Sequence, residues 1–179
     1  MAYFTESQLE SYAYSSDMIK QASRHLFEAK ASGRISLFLS HSHKDRLKAK
    51  GLITFLGSQG MDVYVDWNDT DMPRETNRTT AERIRSKIQE NLLFLVLATR
   101  NAMDSKWVPW EIGIADKTKG ETRVLILPVA DPSGNFHGNE YCQLYRRVII
   151  ADDGKAGVFE PDKTQGEYLT EFLRTYGRV

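Results

Sequence analysis

The stretch "ISLFLSHSHKDR" (Ile35–Arg46) decides the fold. Its first half, "ISLFLS", is short and almost continuously apolar, the texture of a strand buried on both faces. The polar run "SHSHKD" (Ser40–Asp45) ends it. Next comes "KDRLKAKGLITFLGSQG", where Leu47, Leu52, Phe55 and Leu56 recur at helical spacing up to Gly60. A buried strand passing straight into an amphipathic helix is the unit from which parallel sheets are built.

Outward from that unit the cadence repeats. "MDVYVDW" (Met61–Trp67) reads as a second strand, followed by the polar "NDTDMPRETNRTT". "AERIRSKIQEN" (Ala81–Asn91) is an amphipathic helix, with Thr79 or Thr80 expected as its cap. "LLFLVLAT" is a third buried strand and "WEIGIADKTKG" a helix stopped by Gly120. "RVLILPV" (Arg123–Val129) is a fourth strand and "RRVIIAD" (Arg146–Asp152) a fifth. "TQGEYLTEFLRTYG" (Thr164–Gly177) reads as a last helix. Before the first strand, Leu9, Tyr12, Ser16, Ile19, Ser23 and Leu26 predict a helix from about Thr5 to Ser32. It either packs on the neighbouring domain or self-associates. "ASGR" (Ala31–Arg34) breaks it, which places the division between a 1–33 helical extension and a 34–179 α/β domain. The whole is an α/β chain with helices on both faces of a parallel sheet.

The 179 residues, 41% of them apolar, suit a folded domain with an appendage. Lysine plus arginine and aspartate plus glutamate each number 24, so nothing marks a nucleic-acid or acidic-membrane partner. The single cysteine, Cys142, excludes an internal disulfide and a cysteine-rich zinc cluster, and fits a reducing compartment. No basic-then-apolar leader is present, and the longest apolar run, Leu92–Ala98, is too short to span a bilayer. The expectation is a soluble, cytoplasmic protein.

Folds of this class bind ligands beyond the carboxyl ends of their strands. The first strand ends in "SHSHKD", where Ser40 or Ser42 can cap a helix and the helix start favours an anion. His41 and His43 alone fall short of the three or four ligands of a metal site, so no metal is expected. "DWND" (Asp66–Asp69) and Asp71 follow the second strand, either as a solvated acidic loop or as partners for ribose hydroxyls or a metal. No acidic pair or strand-tip aspartate marks a phosphoacceptor receiver, and no Walker loop or GxGxxG is present.

After the third strand comes "SKWVPWEIG" (Ser105–Gly113), with two of the three tryptophans in the chain. Pro109 is tolerated only in a first helical turn, so Trp107 and Glu111 stand about a turn apart near a helix start. That position favours the ionised form of Glu111. Tryptophan beside a carboxylate suits a flat cationic ring on a sugar. The carboxylate can hold ribose hydroxyls and stabilise an oxocarbenium-like transition state. Most glycosidases need a second carboxyl group to protonate the leaving group, but nicotinamide leaves NAD+ already neutral. Core packing of Trp107 and Trp110 with Glu111 as a surface charge is the plainer alternative.

In order and spacing, "ISLFLSHSHKDR", "LGSQGMDVYVDW" and "SKWVPWEIG" resemble the boxes of a bacterial Toll/interleukin-1 receptor (TIR) domain over roughly Arg34–Val129. "DWNDTDMP" with "PWEIG" is similar to the signal-producing TIR proteins of Thoeris anti-phage systems. The resemblance implies a flavodoxin-like fold of about five parallel strands, NAD+ as substrate rather than cofactor, and cleavage of the nicotinamide–ribose bond. Its product would be an ADP-ribose-derived, cyclic signal in anti-phage immunity. It also implies Glu111 as the catalytic glutamate and Trp107 as part of the nicotinamide or ribose wall. Ser40, His41 and Asp66 would contact substrate, and Asn68 would lie in the gating loop. Some relatives carry an aromatic residue where His41 stands. Self-association through the domain, an effector that receives the signal and a phage-derived trigger are the implied partners. A non-catalytic TIR scaffold and a nucleoside deoxyribosyltransferase-like enzyme are the competing classes, since fold alone does not give function.

Overall fold

The computed structural model describes residues 1–28, 35–69 and 77–176. The chain opens with β1 (Phe4–Thr5), α1 (Glu6–Tyr12) and α2 (Ser16–Glu28). Then come β2 (Ile35–Ser40), α3 (Arg46–Ser58), β3 (Met61–Tyr64), α4 (Arg78–Glu90) and β4 (Leu93–Ala98). A short α5 (Arg100–Met103) precedes α6 (Val108–Lys119) and β5 (Val124–Ala130). The last elements are β6 (Arg146–Ile150), β7 (Ala156–Phe159), β8 (Gly166–Tyr168) and α7 (Leu169–Tyr176).

Five strands run parallel in the order β3-β2-β4-β5-β6, and β7 and β8 extend the sheet antiparallel. The strand alternation explains both faces. Leu37, Leu39, Leu93, Leu95, Leu97, Leu125 and Leu127 point to one side, where α1, α3 and α7 cover them. Phe38, Phe94, Val96, Val124 and Ile126 point to the other, beneath α4 and α6. Each such side chain, fully buried, contributes roughly 2 kcal/mol. Both faces are dry, so the strands carry no polar alternation.

Three strands were not expected. β1 lies parallel on β5, with Phe4 opposite Val129, and β7 and β8 follow β6. Two to four residues are too few to display a period. The predicted long N-terminal helix is two helices, interrupted at Ala13–Ser15. Its first piece starts at a capping box, in which Thr5 Oγ1 accepts from Gln8 N and Gln8 Oε1 accepts from Thr5 N. Leu9 is fully buried, and α1 approaches α3 so closely that a Cβ at Gly51 would fall 1.7 Å from the Leu9 carbonyl oxygen. Phe4 and Leu9 thus join the core that holds Leu37 and Leu52. The division expected near residue 33, and the seam side chains Ser23 and Leu26, lie outside the described positions.

Two boundaries differ from expectation. α4 starts earlier, capped by Asn77, whose side chain accepts from Thr80 N while the Thr80 hydroxyl accepts from Asn77 N. α7 starts at Leu169, because Gly166–Tyr168 is drawn into the sheet by pairing with β7. Among the described residues, no helix is long and apolar enough to cross a membrane.

Candidate active site

The strand order creates the site. From β2 the chain passes to β3 on one side, then returns to β4 on the other. Such a reversal opens a crevice between the carboxyl ends of the two central strands. Ser40 is the last residue of β2 and is 1% exposed. Glu111 arrives from α6. There Ser105 Oγ accepts from Trp107 N, Pro109 sits in the first turn, and Glu111 N bonds Trp107 O at 2.9 Å. The Glu111 side chain turns inward, and Ser40 Oγ donates to Glu111 Oε2 at 2.5 Å. Residues 71 positions apart in sequence therefore share a buried hydrogen bond.

The expected ionisation of Glu111 is corrected here. Burial pushes its carboxyl up to about 8, Ser40's hydrogen bond pulls the other way, and the charge of Asp66 adds to the rise. The helix N-terminus does not win, since the carboxyl is turned away from solvent and receives one neutral donor. At neutral pH the resting group is mostly protonated and close to the range of a general base.

His41 and Asp66 complete the cluster. The His41 side chain is 3% exposed, and its Nε2 stands 4.0 Å from Asp66 Oδ1. Burial lowers the His41 pKa, and Asp66 acts against this. Asp66 starts a one-turn 3₁₀ helix after β3 and accepts from Trp67 N at 2.8 Å. Trp67 meets His41 edge-on at 4.4 Å, and the Arg46 guanidinium lies 5.4 Å from the indole.

The other two predicted residues lie apart from these contacts. Trp107 packs edge-on against Trp110 at 5.1 Å, on the α4/α6 side of the sheet, and Arg85 sits over Trp110. Its link to Glu111 is the helical backbone bond. Asn68 is exposed and lines a groove with Tyr64 and Arg83. The start of its loop is pinned to α4, because Asp69 accepts from Tyr64 Oη and from both Nε and an Nη of Arg83. Asp71 lies outside the described residues.

Two residues escaped the sequence reading. Trp67 places an aromatic ring against His41 at the strand ends, whereas Trp107 was the one singled out. Asp45 is the other. Its side chain is fully buried and accepts from Thr99 Oγ1 at 2.5 Å, Asn101 Nδ2 at 2.8 Å and Lys48 Nζ at 3.2 Å. Lys48 also reaches Glu6 and Glu10 of α1. Asp45 therefore ties the segment after β2 to the segment after β4, setting the spacing of the crevice walls. Its signal was its place in "SHSHKD", but a charge before a helix reads from sequence as solvated.

A parallel sheet of this order, with polar side chains gathered at its central strand ends, defines a flavodoxin-like α/β domain with a buried-carboxylate site. The TIR domain family model matches residues 37–154, and the chain belongs to that family. It is 33% identical over 166 residues to a probable 3′ cyclic ADP-D-ribose synthase, ThsB′, of Bacillus cereus (strain MSX-D12), covering 83% of each chain. It is 27% identical over 143 residues to a candidate cyclic ADP-D-ribose synthase, TIR2, of Cytobacillus dafuensis, covering 71% of this chain and 37% of that protein.

Proposed function

We propose that this TIR protein is an NAD+ nucleosidase and cyclase. It breaks the nicotinamide–ribose bond of NAD+ and closes the remaining ADP-ribose into a cyclic signal for anti-phage defence. The observation that carries the reading is the buried Ser40–Glu111 pair at the central strand ends. It stands in a TIR chain whose relatives are named as cyclic ADP-ribose synthases.

The chemistry follows from the residues. As the bond to nicotinamide breaks, its electron pair neutralises the pyridinium ring, and positive charge spreads over the ribose. Glu111 as carboxylate stabilises that charge in a dry site, where such attraction is strong. Ser40 holds the carboxylate through its hydroxyl. An adenosine-ribose hydroxyl then attacks the anomeric carbon, and its proton passes to Glu111. The balance is NAD+ to nicotinamide, cyclic ADP-ribose and one proton. If water attacks instead, linear ADP-ribose results. His41, Asp66 and Trp67 line the approach, and Trp107 packs on Trp110 at the start of α6. Asn68 stands where the loop after β3 begins.

Activity depends on assembly of several copies and on a phage-derived trigger, and the product acts on an effector protein. Mass spectrometry of NAD+ metabolites in cells carrying the protein, with and without phage, tests the reading. The expected result is nicotinamide together with a species one water lighter than ADP-ribose. Intact NAD+ in infected cells would overturn it.

A further inference from the structure

The segment after β2 carries two histidines, too few for a metal site. The fold adds a third donor. One ligand atom each from His41, His43 and Asp66 lies within 4.8 Å of the others. His41 gives this cluster direction. Its Nδ1 faces the Leu39 carbonyl at 3.2 Å, and a carbonyl can only accept, so Nδ1 carries the hydrogen. The lone pair is then on Nε2. That atom is buried and has no hydrogen-bond partner among the described residues. It is aimed at Asp66 Oδ1, 4.0 Å away. A lone pair facing a carboxylate oxygen across such a gap is satisfied by a cation between them. A backbone acceptor that locks the far nitrogen is the usual outer support of a metal-bound histidine.

We propose that His41, His43 and Asp66 form a three-ligand site for a zinc-class divalent ion, and that the bound ion competes with NAD+. Two imidazoles and one carboxylate suit zinc and its neighbours over magnesium or calcium. A tetrahedral centre with bonds of about 2.1 Å places its ligands about 3.4 Å apart. The His41–Asp66 gap of 4.0 Å is about 0.6 Å wider than this, and exposed His43 can rotate to bring its nitrogen nearer both. The fourth position is open to water. Competition rests on the NAD+ reading above, since His41 and Asp66 line the substrate approach. Metal binding itself does not depend on that reading.

The test uses full-length protein without a polyhistidine tag. Zinc is titrated calorimetrically, and cobalt is followed by its visible absorption. The wild type should bind one ion per chain, and zinc should raise the apparent KM for NAD+ with the same midpoint. His43→Ala should weaken both effects by at least about tenfold while leaving metal-free turnover unchanged. His137→Ala should change neither, because His137 lies outside this cluster and, among the described residues, pairs with Asp131 at 2.8 Å. Glu111→Gln should still bind zinc, which separates failure of this site from failure of the catalytic reading. Loss of zinc binding in His137→Ala, or full binding in His43→Ala, would overturn the site. Zinc bound through His43 with no effect on KM would overturn the competition.

Discussion

Two carboxyl groups are buried within one crevice, and they behave in opposite ways. Asp45 is met by a hydroxyl, an amide and an ammonium group. Glu111 is met by one hydroxyl and by the repulsion of Asp66. Burial alone therefore does not mark a functional group. What separates the two is how completely the surroundings satisfy the charged form. A satisfied carboxylate holds structure together, whereas an unsatisfied one keeps reactivity in reserve.

The largest effect should come from Glu111→Gln. The amide keeps the shape of the protonated acid and can still accept from Ser40, so the fold should survive. Nicotinamide release should fall by about 10³-fold or more, read as kcat/KM beside a thermal melt. Asp45→Ala should invert that pattern. It leaves the Thr99 and Asn101 donors without their acceptor and takes one of three carboxylates from Lys48, at a cost of about 3 kcal/mol in denaturant unfolding. Activity per folded molecule should change far less than in Glu111→Gln.

Stability against pH sharpens the contrast. A carboxyl raised from about 4.5 to about 8 holds its proton longer in the folded state than in the unfolded chain. Its favourable contribution is complete below about 4.5 and is lost as pH rises through about 8. Glu111→Gln removes that dependence, so it should gain on the wild type across this window by on the order of a few kcal/mol. A constant gap between the two proteins would break the comparison. Glu10→Gln should give the smallest effect, under about 1 kcal/mol, because its contact with Lys48 is partly exposed and the Lys48–Asp45 pair stays intact.

Much of this was legible in the chain, for stated reasons. "ISLFLS", "LLFLVLAT" and "RVLILPV" are almost continuously apolar because both faces of the sheet are covered. Pro109 and Gly120 marked the ends of α6, the latter with φ of 75°. Ser40 was noticed at the end of its strand and Glu111 beside two tryptophans at a helix start, and the TIR resemblance implied the role of each. Their contact was not legible, since it depends on the crossover that brings β2 beside β4. Trp67 and Asp45 were passed over because neither local period nor composition reports what a side chain meets across a sheet. β1 and β8 are set by pairing rather than by pattern. The ionisation of Glu111 was misread because a helix start is visible in sequence and desolvation is not.

The pH profile of kcat/KM for nicotinamide release reads the ionisation of Glu111 in the free enzyme. It should rise about tenfold per pH unit below about 8 and level off above. In Ser40→Ala, which removes the hydrogen bond that lowers the Glu111 pKa, the rise should move to higher pH. A profile already flat from about pH 6, as an ordinary exposed glutamate would give, would contradict it.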